Sequence, residues 1–471
     1  MIIAGLDVGT TGCKLSVYRE DGKHIKTEYR EYDVTGRSDE MDALQILQAV
    51  EQVISSVCAE CSIDVLGVTT FGETFVLLDK QDRVLLPSML YTNPCGEKQA
   101  AALDNEKTAR TVGAKASYTY SLPKIAWVRQ NRPDVFSKVH RIMLMQDYIV
   151  YNLTGCAQID YTMAARTMGF DITALRWDQS LLRMVGVDPI MLSKPVPTGT
   201  EAGRSNRFGL KNTLVVNGCH DQIASLLGAG ITEPGFAADG IGTVECITPV
   251  FSGVPSCMDF FADGYAAIPY LKKNQYATYG YNFSGGATLK WFRNNFYRVP
   301  YAEADALVDP SEPSGLLVLP HFGGAATPYM NGSAKGAIVG LDFNTTRERL
   351  YQAMMEGTTY EMLLNAEKLK QYGVTFRALT ATGGGAKSAK WLQCKANIMN
   401  VPIHTIEADE VGAVGTAMLA GKAAGVFSNL DEAKAVFVRP GKRYEPNQSA
   451  VPRFREVYER YVRMYPHISE I

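Results

Sequence analysis

The sequence lacks an excess of either charge: 47 Lys and Arg stand against 49 Asp and Glu, for a net charge of −2 over 471 residues. No basic field is therefore available to recruit nucleic acid or an anionic membrane, and small-molecule partners are indicated. Also missing is any apolar run approaching the roughly 20 residues that span a bilayer. The first residues, Met1-Ile2-Ile3-Ala4-Gly5-Leu6, read as a strand without the basic-then-apolar pattern of a signal peptide, so a soluble, cytoplasmic protein is expected. The nine cysteines are odd in number and scattered, which argues for reduced thiols over a disulfide framework. Cys58 and Cys61 have C-x-x-C spacing but no second Cys or His pair nearby, so they read as two small residues at a helix end, with neither metal nor redox chemistry expected. Two familiar nucleotide signatures are absent as well, G-x-x-x-x-G-K-[ST] and a strand-linked G-x-G-x-x-G.

What is present is a small device placed twice. Ile3 to Val17 reads as an apolar strand, an acid (Asp7), a Gly9-Thr10-Thr11-Gly12 turn and a second strand. Ala238 to Thr248 repeats the scheme around Asp239 and Gly242-Thr243. Glycine lets backbone N–H groups approach anionic oxygens and threonine adds a hydroxyl donor, so a pair of such hairpins suits gripping a polyphosphate. Between them, Met41 to Ala59 carries Leu44, Leu47, Val50, Val53 and Ile54 at helical spacing, and strands are expected at Val65–Thr70 and Phe75–Asp79. Pro123 suits the first turn of a helix, and Leu214–Asn217 reads as a strand after which Asp221 opens a helix. In the second half, Thr345-Thr346-Arg347-Glu348 has the pattern of a capping box before a long helix, and a strand at Ala378–Ala381 runs into Gly383-Gly384-Gly385 and another helix. A glycine-rich turn before a helix is a ready anion seat. The alternation gives an α/β class, with a boundary near Thr232–Gly235 dividing the chain into 1–233 and 234–471.

Asp7 with Gly9-Thr10-Thr11, Gly218-Cys219-His220-Asp221-Gln222, Gly242-Thr243, the Gly336–Leu341 segment and Gly383-Gly384-Gly385-Ala386 together resemble the FGGY carbohydrate kinases. The resemblance spans nearly the whole chain in consistent order. It implies a two-domain actin/hexokinase-like ATPase fold with duplicated ribonuclease-H-like sheets, sugar bound in the cleft, and ATP held chiefly by the second domain. Leu77–Leu85 and Gly385–Ser388 look like xylulokinases, Thr69-Thr70-Phe71-Gly72, His220-Asp221 and Gly242–Glu245 like L-fuculokinases, and Gly72-Glu73-Thr74 and Asp221-Gln222 like glycerol kinases.

By that resemblance Asp221 is the catalytic base, and Gly72, Glu73, His220, Asp221 and Gln222 bind substrate. At a helix N-terminus the dipole favours a carboxylate by about 0.3–1 kcal/mol, so Asp221 is expected to stay ionised near neutrality, and an N-cap role is compatible with the same position. His220 reads equally as a substrate contact or as packing. Asp7 is expected to organise Mg²⁺ through water. Thr10, Thr11, Gly12 and Lys14 match phosphate-contacting positions of the family, as do Gly242, Thr243, Gly286, Lys290, Gly384, Gly385 and Ala386 for ATP. Met143, Met145 and Trp391 read as core. Gly72 stands where glycerol kinases carry an arginine, which leaves space for a longer substrate, and a buried Glu73 calls for donors that a polyhydroxylated sugar supplies. The expected activity is ATP-dependent phosphorylation of a ketopentose or 6-deoxyketohexose. Glycerol or another polyol is the alternative acceptor, and a non-enzymatic actin-like ATP-binding protein the rival class. ATP and Mg²⁺ are the expected cofactors. The expected partners are a small sugar or polyol and, at most, a second copy of the chain in a homodimer.

Overall fold

Alternation along β1 (Ile2–Val8) sets two faces: Ala4, Leu6 and Val8 point one way, and Ile3, Gly5 and Asp7 the other. β1 pairs antiparallel with β2 (Gly12–Arg19), bringing Asp7 opposite Lys14, and the Gly9 N–H closes the turn on the Gly12 carbonyl at 2.9 Å. β3 (His24–Glu31) completes the meander. Helix α1 (Ala43–Cys58) is capped by Asp42, whose side chain accepts from the Leu44 N–H. Its stripe of Ile46, Val50, Val53, Ile54 and Val57 joins Ala4, Leu6 and Val8 in one core, each large apolar side chain contributing about 1.5–3 kcal/mol. Leu44, expected on that stripe, is 55 % exposed, because buried positions starting at Ala43 leave it on the helix flank.

β4 (Val65–Thr70) runs parallel to β1. Helices α2 (Ser121–Asn131) and α3 (Tyr161–Ala165) follow, then β5 (Glu201–Ser205) and β6 (Thr213–His220), from which α4 (Asp221–Gly228) leaves directly. The sheet order is β3-β2-β1-β4-β6-β5, with β1, β4 and β6 parallel and β5 an antiparallel edge.

The computed structural model describes residues 1–32, 39–407 and 410–468, and the chain divides into two compact units. The first comprises Met1–Thr232, Ala267–Tyr276 and Glu410–Val438; the second Glu233–Ala266, Ala277–Asp409 and Arg439–Ile471. The second repeats the pattern of the first. β7 (Ala237–Ile241), β8 (Glu245–Ser252) and β9 (Gly280–Asn282) form an antiparallel meander. β10 (Leu379–Thr382) and β11 (Ile403–Ile406) then add in parallel to β7, and β12 (Pro440–Tyr444) closes the edge antiparallel. Its helices are α5 (Gly286–Phe292), α6 (Tyr301–Ala306), α7 (Arg347–Gln371) and α8 (Ala389–Met399). Thr346, not Thr345, caps α7, accepting from the Arg349 N–H, while the Thr345 hydroxyl turns back to Asp342 at 2.8 Å.

The two hairpins differ in their acids. Asp7 lies two residues before Gly9 but Asp239 three before Gly242, so the strand period of two turns Asp239 to the opposite face. There it is fully buried against Lys395 of α8, 2.9 Å from Nζ, and Glu245 pairs with the same lysine. The repeated feature is the Gly-Thr tip alone; Asp239 is a core ion-pair partner.

The chain returns to the first unit as α9 (Val411–Ala423), which packs on β1 and α4. The Thr416 hydroxyl donates to that of Thr69 on β4 at 2.8 Å. Among the described residues no helix is long and apolar enough to cross a membrane.

Candidate active site

In the first unit, the ends of β1, β4 and β6 gather the expected residues. Asp221 is the first residue of α4, and its Oδ1 accepts from the Gln222 N–H at 2.6 Å. His220 precedes it, with its N–H donating to the Thr162 hydroxyl at 2.8 Å and its ring Nε2 3.3 Å from Asp221 Oδ1. Burial first, then the charge of Arg166, holds this histidine well below the usual imidazole range. The ring is neutral, so the His220–Asp221 contact is not an ion pair.

Burial pushes Asp221 up to about 7, the Asp7 carboxylate adds to the rise, and the Gln222 N–H only partly opposes it. The helix dipole therefore does not keep this carboxyl fully ionised at neutrality: desolvation and a like charge outweigh its fraction of a kcal/mol. Asp7 itself is pushed up to about 6, by burial opposed by Lys14 and reinforced by Glu410. It sits at the start of α9, where a Cβ on Gly412 would lie 2.7 Å from its Oδ2.

Lys14 is held by Glu410, with Nζ 2.6 Å from Oε2, just before α9. Thr10 and Thr11 form the hairpin tip, and Gly12 is buried under β3. Gln222 is exposed.

Gly72 does not leave open space. A Cβ there would stand 2.9 Å from His220 Cδ2 and 3.1 Å from Arg166 Cγ, so these two side chains already occupy the volume that a side chain at 72 would need. Nor is Glu73 waiting for donors from a ligand alone, because Arg166 Nε donates to its Oε1 at 2.6 Å and a second guanidinium nitrogen reaches the same oxygen. Glu73 adopts a left-handed conformation (φ 61°), rare for a residue with a Cβ, at a turn that aims its carboxylate at Arg166. The guanidinium lies 5.0 Å from the centre of the Tyr120 ring. Arg166, Tyr120 and Glu410 were missed in the sequence because each lies far along the chain from the motif it supports, and a lone Arg after a short helix carries no local signature.

In the second unit, Gly242 and Thr243 form the exposed tip of the β7–β8 hairpin. A cavity of about 1030 Å³ is lined by Gly242, Thr243, Gly286, Lys290, Gly384 and Gly385. Ala386 is not among its lining residues and packs on the unit's core. The first two N–H groups of α5 are already used, Gly286 donating to the Gly242 carbonyl at 2.8 Å and Ala287 to that of Thr243 at 3.1 Å, so they brace the hairpin tip. Gly385 is required by close approach: a Cβ would lie 2.3 Å from Ile241 Cγ2. Trp391 is core, as expected, yet it also lines the cavity together with Trp291, Asp305, Tyr351, Lys387 and Ser388. Met143 and Met145 are core.

The Asp7 carboxylate is a hard oxygen donor of the kind a divalent cation takes, and burial is the main cause of its raised proton affinity. Among the described residues no three His, Cys, Asp or Glu side chains gather into a metal-ligand cluster. Cys58 and Cys61 are free thiols.

Residues 2–228 match the model of the FGGY family of carbohydrate kinases, N-terminal domain, and residues 257–424 that of its C-terminal domain. Over 501 residues the chain is 26% identical to the xylulose kinase of Bacillus subtilis (strain 168), covering 100% of this chain and 97% of the relative. Over 480 residues it is 26% identical to the glycerol kinase of Enterococcus faecalis (strain ATCC 700802 / V583), covering 97% and 95%. The crystal structure of a xyloylose kinase from Brucella ovis superposes with a TM-score of 0.91 at 26% identity, over 100% of both chains. The two like-ordered sheets are thus the duplicated ribonuclease-H-like halves of the two-domain actin-like ATPase fold. With both family domains matched over most of its length, the chain belongs to the FGGY family of carbohydrate kinases and is a sugar kinase.

Proposed function

We propose that this kinase transfers the γ-phosphoryl group of ATP to a terminal hydroxyl of a neutral ketopentose or 6-deoxyketohexose, with Asp221 as the base. The observation that carries the proposal is the Asp221 carboxyl: pushed up to about 7, anchored by the Gln222 N–H, and touched by the neutral ring of His220. A carboxylate with this proton affinity is a better acceptor than an exposed aspartate and is still substantially ionised at physiological pH. The sugar oxygen attacks the γ-phosphorus, its proton passes to Asp221, and the bond from the γ-phosphorus to the β,γ-bridging oxygen breaks to release ADP.

The acceptor class follows from the groups beside the base. Glu73, Arg166, Tyr120 and His220 offer acceptors and donors at several points, as a polyhydroxylated chain requires. Arg166 is engaged by Glu73, and Lys124, buried nearby and pushed down to about 8 by desolvation, donates to the Tyr118 carbonyl. The Arg166 charge is already matched by Glu73, which favours a neutral sugar over a sugar acid at this guanidinium. The full-length likeness to proteins named xylulose kinase supports a ketopentose first.

The second unit would hold the nucleotide. Thr243 and the Gly242 and Gly385 backbones offer phosphate contacts without side-chain obstruction, and Lys290 and Lys387 add positive charge to the cavity wall. In the first unit Thr10, Thr11 and Lys14 stand ready for phosphate, with Glu410 fixing the lysine. Asp7 would hold Mg²⁺, which when bound would supply charge neutralisation to phosphate oxygens.

A coupled assay over ketopentoses, 6-deoxyketohexoses, glycerol and gluconate at equal concentration tests the reading. A ketopentose or 6-deoxyketohexose is expected to exceed glycerol and gluconate at least about tenfold in kcat/KM, equivalent to roughly 1.4 kcal/mol. Glycerol as the best acceptor would return the protein to the polyol kinases.

A further inference from the structure

The second unit's cavity has one acid among its lining residues, Asp305. Asp305, on α6, shares the wall with two lysines, Lys290 and Lys387, and with the Gly-Thr tip. Its Oδ1 accepts from the buried Tyr351 hydroxyl at 2.8 Å, and the residue itself is half-buried in the cavity wall. A carboxylate repels phosphate oxygens, so the triphosphate belongs with the glycines, Thr243 and the lysines, while Asp305 faces another part of the ligand. The remaining walls include Leu289, Trp291, Met355 and Trp391, apolar surfaces suited to a flat aromatic ring. The Tyr351 hydroxyl fixes the carboxylate in the cavity wall, and its remaining acceptor capacity, hydrated in the free protein, can take an N–H from the ligand.

Resting on the reading of this cavity as the nucleotide site, we propose that Asp305 is its base-specificity determinant, accepting a hydrogen bond from the exocyclic 6-amino group of a purine. A carboxylate selects for 6-aminopurine and against 6-oxopurine, because an oxo group sets acceptor against acceptor. An amide at position 305 keeps the size and can donate from its NH₂, so Asp305→Asn should relax the choice toward the 6-oxo base.

The test compares ATP and ITP as phosphoryl donors, and ADP and IDP as ligands by calorimetry, in the wild-type protein and in Asp305→Asn. The wild type is expected to prefer ATP over ITP at least tenfold in kcat/KM and ADP over IDP to a similar degree in Kd. The variant is expected to lose most of both ratios, chiefly through weaker binding of the adenine forms, with kcat for ATP changed less than threefold. Purine riboside triphosphate, which has neither 6-substituent, checks the wild type without any mutation and is expected to bind at least fivefold more weakly than ATP. Equal ATP-to-ITP ratios in wild type and variant, or wild-type affinity for the unsubstituted purine, would overturn the role of Asp305 while leaving the kinase reading intact. Turnover with no nucleoside triphosphate, and no binding of ADP, would overturn the parent reading and this inference together.

Discussion

Replacing Arg166 with Met keeps the stem that packs over Gly72 but removes the guanidinium that holds Glu73. The pair is buried: 14 % of the Arg166 side chain and 9 % of that of Glu73 reach solvent, and Nε lies 2.6 Å from Oε1. Stranding the carboxylate there should destabilise the fold by about 3 kcal/mol, the lower end of the range for breaking a buried pair because a little water remains. That is a factor of roughly 150 in the folding equilibrium. Removing both charges in Arg166→Met/Glu73→Gln leaves no stranded ion and should recover about 2 kcal/mol of the loss, a coupling expected of residues in direct contact. Urea denaturation at pH 7.5 measures the stabilities, and initial rates against sugar and ATP measure the site. The KM for sugar should rise at least about tenfold in both variants while the KM for ATP stays within about twofold, as the proposal that this pair lines the sugar site requires. A single variant within about 0.5 kcal/mol of the wild type, or a double variant no more stable than the single, would refute the claim that the two charges depend on each other.

Gly72→Ala puts a Cβ 2.9 Å from the His220 ring and 3.1 Å from Arg166, so it should raise the KM for sugar several-fold with the KM for ATP unchanged; unaltered sugar kinetics would show that neither side chain serves the substrate. Asp147 is pushed up to about 8 by burial, with the Ser193 hydroxyl donating to Oδ2 at 2.5 Å and Oδ1 unpartnered. Its folded form therefore holds a proton that the unfolded chain releases near pH 4, and stability falls by about 1.4 kcal/mol per pH unit from there up to pH 8. Asp147→Asn should remove that slope, so its stability relative to wild type must improve steadily between pH 5.5 and 7.5; a pH-independent difference in urea midpoints would contradict the assignment. Thr243→Val, at an exposed hairpin tip, should raise the KM for ATP about tenfold, the size of one charge-assisted hydrogen bond, with no loss of thermal stability. A lowered melting temperature without a kinetic change would make Thr243 structural.

Both Gly-Thr tips and the Asp221 junction were readable from the sequence because each is a local event: a strand, a turn, and a residue type with few other uses. Strand β4 matches its predicted limits for the same reason, an apolar run bounded by turn residues. What was not readable depends on chain separation. Glu73 meets Arg166 across 93 residues, and Lys14 meets Glu410 across 396, distances over which no periodicity speaks. Asp239 misled because one extra residue before Gly242 reverses the face of a strand, a shift invisible to a motif and decisive in the fold. The proton affinity of Asp221 was misjudged for a related reason: the helix terminus is local, whereas burial and the nearby Asp7 arise only in three dimensions.

The most direct test of the central claim is the rate of sugar phosphorylation at saturating ATP by wild type and Asp221→Asn across pH 5.5 to 8.5. Wild-type kcat/KM for sugar should climb with pH through an apparent value near 7 that belongs to the coupled Asp7 and Asp221 carboxyls. The amide variant should be about 10²–10⁴-fold slower and should lose that rise, because it preserves the shape of the site but cannot take the proton. Wild-type turnover in Asp221→Asn, or an unchanged pH profile, would contradict the assignment of Asp221 as the base.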